Sequence, residues 1–319
     1  MRGKLRNNLM LMLAAFIWGS AFVAQSAGMD YIGPFTFNSV RCLLGAAVLL
    51  PVIKVMDWQK DKAKVGKTGV DKQEGKTPEE KKEDSKMLLI GGICCGVVLA
   101  AASSLQQLGL VYTSAGKAGF ITALYILIVP IIRIFFGKKA GIKVWIGIAL
   151  AIVGMYFLCI TEGFHIGTGD LLVLFCSLVF SLHILVIDYF SPKADGVRLS
   201  CVQFLVSGGL CAVPMLLLEK PSIEGILAAW LPIAYTGVLS CGVAYTLQII
   251  VQKSTDPTVT ALVMSMESVF AAVTGWLILH ERLSMKEMLG CVLVFTAIIL
   301  AQLPDRAAGK ETAHQKRSD

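Results

Sequence analysis

Charged residues are scarce in this sequence. Asp, Glu, Lys and Arg make up 16% of its 319 residues, whereas a soluble domain carries about 25%. Hydrophobic residues make up 55% of the chain, and its mean hydropathy is +0.71. Long apolar runs separate the charges into blocks, which excludes an ordinary soluble globular domain.

The signatures of several binding classes are also missing. No Walker pattern follows the glycine-rich stretch GFHIGTGDLL (163–172), so we predict no ATP site. The nine cysteines lie mostly in apolar runs without zinc-ligand spacing and are expected to be small apolar fillers. The basic residues behind the net charge of +7 are scattered over short loops, which argues against nucleic-acid binding. We therefore predict no cofactor, metal site or catalytic residue.

The apolar runs have the length of membrane-spanning helices. A span needs roughly 20 apolar residues, and backbone polar groups in lipid must be satisfied internally, so such runs should be helical. The first run is long and contains Trp18 and Gln25, so it is read as a retained helix rather than a signal peptide. The sequence predicts an all-α polytopic membrane protein with ten transmembrane helices, at 9–27, 35–56, 87–112, 115–136, 142–160, 170–190, 198–218, 225–251, 257–279 and 285–303.

Lysine and arginine are distributed unevenly between the two sides of the predicted membrane. With the N-terminus inside, 24 of the 29 fall on the cytoplasmic side, four fall on the opposite side, and Arg41 lies within a run. Because cytoplasmic loops carry an excess of these residues, both termini are predicted to be cytoplasmic. The polar stretch 54–86, with 10 Lys and 8 acidic residues, is expected to be a disordered cytoplasmic loop, and 304–319 a cytoplasmic tail.

Short motifs recur in the same order along the chain. FITAL at 120–124 resembles TVTAL at 258–262, and Arg41 before Pro51 resembles Gln203 before Pro214. These offsets, 138 and 162, differ by about the extra length of the 54–86 loop. Residues 1–162 and 163–303 are therefore predicted to be two five-helix repeats. An odd number of helices in each makes the repeats inverted, as in many secondary transporters.

Four stretches resemble EamA-type members of the drug/metabolite transporter (DMT) superfamily, and the resemblance covers nearly the whole chain. They are FIWGSAFV (16–23), SVRCLLGA (39–46), YTSAGKAGFITALYILIVP (112–130) and SMESVFAAVTGWLILHERLS (265–284). The resemblance implies ten helices, two inverted EamA repeats, and transport of small metabolites, often outward. The family often has Glu-Pro where this chain has Glu267-Ser268, so the kink that proline gives is not carried over.

Two ionisable residues inside predicted spans are the sharpest site candidates. Glu267 lies ten residues into its run, roughly 15 Å deep, where an ionised carboxylate is expensive. It either carries a proton coupled to substrate movement or is a protonated structural residue. Arg41 either faces the interior, where its planar group suits a carboxylate of a substrate or of the protein, or it reaches outward to lipid headgroups or makes a structural bond. We favour the interior. Glu281, after the same run as Glu267, is expected to have a surface or capping role.

Polar and aromatic residues in other spans complete the candidate pathway. Together they could line a substrate route. Each alone is better explained as an interhelical packing contact, and Tyr112 could belong to the interfacial aromatic belt. Tyr245 and Gln248 are three residues apart and so share a helix face. The candidates are Trp18, Ser20, Gln106, Tyr112, Tyr125, His183, Gln203, Tyr245 and Gln248.

These features predict a secondary transporter of the plasma or inner membrane. It would move a small metabolite, such as an amino acid or a related amphipathic compound, by alternating access. The resemblance favours export, and the sequence leaves two alternatives in each of two further respects: proton coupling or uniport, and a monomer or a homodimer. One alternative is a non-transporting sensor or assembly protein that binds a partner through 54–86. An intramembrane lipid-modifying enzyme using His183 and Asp188 is disfavoured, because five helical residues leave the two side chains roughly 140° apart.

Overall fold

The computed structural model of the protein describes residues 2–65, 78–135, 137, 142–159, 166–255 and 257–302. These ranges are helical with short connections. The helices before residue 160 are α1 (Arg2–Gly28), α2 (Pro34–Val65), α3 (Pro78–Leu110), α4 (Ala115–Thr122), α5 (Tyr125–Phe135) and α6 (Ile142–Cys159). Those after residue 166 are α7 (Thr168–Phe190), α8 (Gly196–Leu218), α9 (Ile223–Ala228), α10 (Trp230–Ala234), α11 (Thr246–Gln252), α12 (Pro257–Met264), α13 (Met266–Leu279) and α14 (Met285–Gln302). A π-helical segment, Tyr235–Tyr245, joins α10 to α11.

Seven helical stretches within the described ranges are long and apolar enough to cross a membrane. They are Leu5–Gly28, Pro34–Gln59, Lys82–Leu110, Ala115–Phe135, Thr168–Phe190, Gly196–Leu218 and Trp230–Gln252. Two shorter apolar helical stretches are Trp145–Gly154 and Met266–Leu279. Helix faces turned away from the bundle carry large apolar side chains, such as Leu217 and Phe135, as contact with lipid requires. The all-helical prediction is confirmed for the described ranges, and the number ten stays a prediction.

Two parts of the polar stretch 54–86 are helical in the structure. Disorder is the wrong expectation for 54–65, which continues α2, and for 78–86, which begins α3. Lys, Glu, Gln and Ala are good helix formers, and an apolar span already provides the helical nucleus from which they extend. Asp57 in this extension accepts two hydrogen bonds from Arg198, at 2.6 and 2.8 Å. Residues 66–77 and the predicted tail 304–319 lie outside the described ranges.

The helices pack mainly between the two sequence halves. The most extensive pairs are α6 with α14, α2 with α8, α3 with α7 and α8, and α1 with α13. Small residues allow close approach where α1 meets α13. A Cβ at Gly19 would lie 2.6 Å from the carbonyl oxygen of Glu267, so only glycine fits there.

Two of the described helices, α4 and α12, are interrupted at corresponding points. They have the same length, and a single sequence offset relates both their first residues and their last residues. Each break is a tight turn with an i to i+3 hydrogen bond: Leu124 N donates to Ile121 O, and Ser268 N donates to Ser265 O. Ser268 Oγ also donates to Ser265 O at 2.8 Å and competes for that carbonyl. The chain therefore interrupts its helix beside Glu267 without a proline.

Two carboxylates from the second half cap helices of the first half. Glu219 accepts hydrogen bonds from Phe35 N and Thr36 N at the start of α2, both at 2.8 Å. Glu281 accepts them from Ala115 N and Gly116 N at the start of α4, at 2.8 and 3.0 Å. Each carboxylate satisfies amides that lack a partner inside their own helix and faces the positive end of its dipole. The expected capping role of Glu281 is confirmed.

Removing the Glu281 cap is expected to destabilise the protein. Glu281→Ala leaves two amides at the start of α4 without their acceptor, which costs about 1–2 kcal/mol. The measurement is the unfolding midpoint of the purified chain in detergent, with Glu83→Ala, at an exposed position of α3, as the control. A midpoint for Glu281→Ala equal to that of Glu83→Ala would show that the cap contributes nothing.

Candidate functional site

A cavity lies among the helices of both halves. Its volume of about 40 Å³ gives room for a few water molecules. The breaks after α4 and α12 both reach it, and so does the π-helical segment. Its lining consists of Trp18, Phe22, Gln25, Arg41, Gln106, Thr122, Tyr125, Phe180, His183, Ile184, Ser240, Tyr245, Gln248, Met264 and Glu267.

Arg41 brings a buried cation to the cavity wall. It is 4% exposed, and its Nη1 donates to Gln25 Oε1 at 3.0 Å. The guanidinium carbon lies 5.8 Å from the centre of the Phe37 ring, a distance at which a cation is attracted to an aromatic face. Nε has no hydrogen-bond partner. In the structure, Arg41 thus faces the interior and does not extend to lipid headgroups.

Glu267 brings a buried carboxyl group to the same cavity. It is 4% exposed and lies in the first turn of α13, because the helix breaks at Ser265. A helix N-terminus favours negative charge, so the break gives this carboxyl a better electrostatic position than the middle of a continuous helix would. Tyr125 is its neighbour, but the Tyr125 hydroxyl and Glu267 Oε1 do not meet the geometry of a hydrogen bond.

The two ionisable groups, Arg41 and Glu267, are not paired with each other. Among the described residues, neither Arg41 nor Glu267 forms an ion pair within 4 Å, whereas Lys117 binds Asp170 at 2.9 Å elsewhere. A buried charge without a partner is costly, so such groups normally pair, change protonation or face water or a ligand. Arg41 and Glu267 line the same cavity, and this is the main chemical reason to regard the cavity as the candidate site.

Aromatic rings form one wall of the cavity, with Tyr245 at their centre. The Tyr245 ring lies 4.7 Å from that of Trp18 and 6.0 Å from that of His183, centre to centre. Phe180 lies 6.3 Å from His183. Behind this wall, the fully buried ring of Phe204 lies 5.6 Å from that of Tyr245 and does not line the cavity. These are edge-to-face distances. The wall adds an apolar surface to the cavity.

Several buried polar atoms around the cavity lack a hydrogen-bond partner. Most buried polar groups in proteins are satisfied, yet eleven buried side-chain atoms of the described residues are not, and five of these line this cavity. They are Trp18 Nε1, Arg41 Nε, Tyr125 Oη, Gln248 Oε1 and Glu267 Oε1. The set contains donors and acceptors and is suited to a polar ligand or to water.

The structure brings most of the predicted site residues together. Those that line the cavity are Trp18, Arg41, Gln106, Tyr125, His183, Tyr245, Gln248 and Glu267. Gln106 Nε2 donates to Thr122 Oγ1 at 3.3 Å, so part of the lining is held by its own hydrogen bonds.

Three predicted residues do not line the cavity. Ser20 Oγ contacts the Tyr235 hydroxyl at 2.5 Å and bonds the Phe16 carbonyl, so it holds α1 against the π-helical segment. Tyr112 is 68% exposed, just beyond the end of α3. Gln203 is fully buried behind the cavity wall, where its Oε1 lies 3.2 Å from His183 Nε2. Hydropathy predicts how deep a residue lies in the membrane but not which way its helix is rotated. It therefore cannot separate these three residues from those that line the cavity.

Other lining residues are absent from the sequence prediction. The spacing of Gln25 from Trp18 could have predicted its position. Seven residues make about two helical turns, so the two side chains lie on the same face of the helix. Thr122 and Ser240 are small, and their side chains give little signal in an apolar run. The apolar members are Phe22, Phe180, Ile184 and Met264, which no sequence pattern separates from core residues.

One family model matches most of the chain, and two relatives carry the name of a transporter. The model of the EamA-like transporter family matches residues 5–160 and again 167–303. A protein of Archaeoglobus fulgidus named an uncharacterized transporter is 31% identical over 301 residues, which is 94% of this chain and 87% of that protein. The uncharacterized transporter YoaV of Bacillus subtilis is 22% identical over 290 residues, 89% of this chain and 92% of its own.

A solved crystal structure shares the fold. It superposes with a TM-score of 0.63 over 93% of this chain and 96% of its own length, at 18% sequence identity. The two family matches together span almost all of the described helices. With its apolar helices, the chain is a multi-pass membrane protein, and it belongs to the EamA-like transporter family.

Proposed function

We propose that this transporter moves a small amphipathic metabolite, such as an amino acid, across the membrane by alternating access. The observation that carries the proposal is the cavity between the two sequence halves. It combines Arg41 and Glu267, neither of which has an ion-pair partner among the described residues, with the aromatic wall around Tyr245. A zwitterion with an apolar side chain offers a complementary group to each of these features. The cavity volume of about 40 Å³ is too small for such a molecule, so the proposal requires the helices around the cavity to separate when the substrate binds, as alternating access does.

The repeat architecture is part of this proposal. Ten spans in two inverted halves, 1–162 and 163–303, would place a midplane site where the halves meet. The paired helix breaks support this reading, because the offset that relates α4 to α12 also relates Tyr125 to Glu267, and both of these side chains line the cavity. Cytoplasmic termini and a plasma or inner membrane location follow from the distribution of Lys and Arg and from the family resemblance.

Coupling and direction complete the proposal. Glu267 is the proposed proton-coupling group, because its carboxyl is buried at a helix break beside the cavity and has no ion-pair partner among the described residues. A group that binds a proton in one orientation and releases it in the other links proton movement to substrate movement. Export is the direction that the resemblance to EamA-type transporters favours. The proposed unit is a monomer or a homodimer.

Trp18 provides a direct test that the cavity lies on the substrate route. Trp18→Phe removes the Nε1 donor, which lies in the cavity without a partner, and a lost hydrogen bond of about 0.5–1.5 kcal/mol predicts up to tenfold weaker binding. Trp276→Phe is the matched control, because Trp276 lies on α13 and is 62% exposed. Initial uptake rates of labelled amino acids are measured over a concentration series in proteoliposomes. Equal kinetics for the two variants would contradict the proposed route.

A further inference from the structure

Gln25 is held from two sides at the cavity wall. Its side-chain Oε1 accepts the hydrogen bond from Arg41 of α2, and its backbone carbonyl accepts one from Gln107 Nε2 of α3, each at 3.0 Å. The Gln25 carbonyl is available for this bond because the chain makes an i to i−3 turn at the end of α1. Met29 N donates to Ser26 O there, and not to Gln25 O four residues before it. Gln25 is 3% exposed, so both of its contacts are shielded from solvent.

The partner that Gln25 offers to Arg41 is neutral. An amide oxygen fixes the guanidinium in place but leaves its positive charge uncompensated, whereas a carboxylate at this position would neutralise it. Among the described residues, no carboxylate lies within 4 Å of the guanidinium. Because Gln25 binds Nη1, Nε of the guanidinium is left without a partner. The edge of a guanidinium can donate two parallel hydrogen bonds to one carboxylate.

We infer that Gln25 is a positioning residue that holds the Arg41 guanidinium in place without supplying a counter-ion, so that the cavity selects ligands carrying a carboxylate. This inference rests on the proposed transport function and adds one chemical requirement for the substrate. The cost of the uncompensated cation falls on the stability of the ligand-free protein. The carboxylate of a bound ligand offsets that cost. A residue at position 25 that stabilised the ligand-free protein by pairing with Arg41 would therefore weaken the selectivity for carboxylate ligands.

Two variants of similar size separate this role from simple packing. Gln25→Glu supplies a counter-ion to Arg41, so it is expected to raise the unfolding midpoint of the ligand-free protein and to abolish the preference for carboxylates. Gln25→Leu removes the acceptor and leaves Nη1 without a partner, so it is expected to lower the midpoint. If Gln25 had only a packing role, Gln25→Glu and Gln25→Leu would both be less stable than the wild type, and the preference for carboxylate ligands would be unchanged.

The ligand test uses matched pairs of probes on the full-length purified protein. Phenylalanine is compared with phenylalaninamide, and 3-phenylpropanoate with its amide, by competition against uptake in proteoliposomes and by thermal stabilisation in detergent. The wild type is expected to prefer the carboxylate member of each pair by about tenfold or more, equivalent to at least about 1.4 kcal/mol. In Gln25→Glu, the carboxylate is expected to bind no better than the amide.

The outcomes separate this inference from the proposed function. If the wild type carries the amides as well as the carboxylates, the inference is overturned and transport stands. If Gln25→Glu is destabilised like Gln25→Leu and keeps the wild-type preference, the inference is likewise overturned. If the wild type neither carries nor binds any probe, the proposed substrate class fails and the inference fails with it.

Discussion

Glu267→Gln is expected to abolish the response of transport to a pH difference across the membrane. The amide has nearly the size of the carboxyl group but cannot bind or release a proton. If one proton moves with each substrate, a pH difference of one unit supplies about 1.4 kcal/mol, or about tenfold in accumulation. The variant should lose this factor, so that its residual flux is the same with and without the gradient.

The experiment compares uptake ratios rather than absolute rates. Wild type, Glu267→Gln and Glu281→Gln are reconstituted at equal protein content, and uptake is measured with and without an imposed pH difference. Glu281 is the matched control, because its carboxylate caps α4 and does not line the cavity. A gradient response in Glu267→Gln equal to that of wild type would make Glu267 a structural residue and remove proton coupling from the account.

Arg41→Gln is expected to weaken carboxylate substrates by about tenfold to hundredfold. Hydrogen bonds to charged groups contribute about 1.5–3 kcal/mol, and the substitution removes the charge and the guanidinium edge together. The ligand-free variant should nevertheless be at least as stable as the wild type, because a buried cation without a counter-ion among the described residues is costly.

Affinity and stability are therefore measured on the same preparations. Competition curves give the affinity, and thermal unfolding in detergent gives the stability. Arg198→Gln is the control, because Arg198 is 41% exposed and pairs with Asp57, and exposed pairs contribute about 0–1 kcal/mol. Loss of folding in Arg41→Gln, with normal substrate affinity in the remaining folded fraction, would assign Arg41 a structural role.

Arg41 and Glu267 can be located from the sequence because the free-energy cost of an ionisable side chain in lipid does not depend on the fold. Glu267 and Arg41 stand out in apolar runs whichever way their helices face, and depth along a run follows directly from the helical rise. Rotation about the helix axis does not follow from hydropathy. From the sequence alone, Ser20 and Gln203 are therefore as suitable for the pathway as Trp18, although only Trp18 lines the cavity.

The sequence motifs and the helix boundaries give registers for the proposed repeats that differ by about one helical turn. The match of FITAL with TVTAL aligns Phe120 with Thr258, whereas the boundaries of α4 and α12 align Phe120 with Leu262. Helical periodicity makes such a shift nearly invisible to pattern matching, because the same face is presented again after about 3.6 residues. In the proposed repeat, the register given by the helix boundaries pairs Tyr125 with Glu267 at the cavity.

The break near Glu267 also depends on context that the sequence does not show. A proline is a reliable sign of an interrupted helix, and this chain has Ser268 in its place. The interruption arises instead from the tight turn at Ser265 and the side-chain hydrogen bond of Ser268. Serine in an apolar run is also common in unbroken membrane helices, so the residue type alone could not have predicted the break.

Counterflow in sealed proteoliposomes tests the central claim most directly. Vesicles loaded with an unlabelled amino acid are diluted into a trace of the labelled compound, with no pH difference across the membrane. An alternating-access carrier should accumulate label transiently above equilibrium, and Trp18→Phe should reduce that peak while Trp276→Phe leaves it unchanged. Label that never exceeds the level in protein-free vesicles, for every amino acid that is tried, would contradict the account and favour a sensor or assembly role.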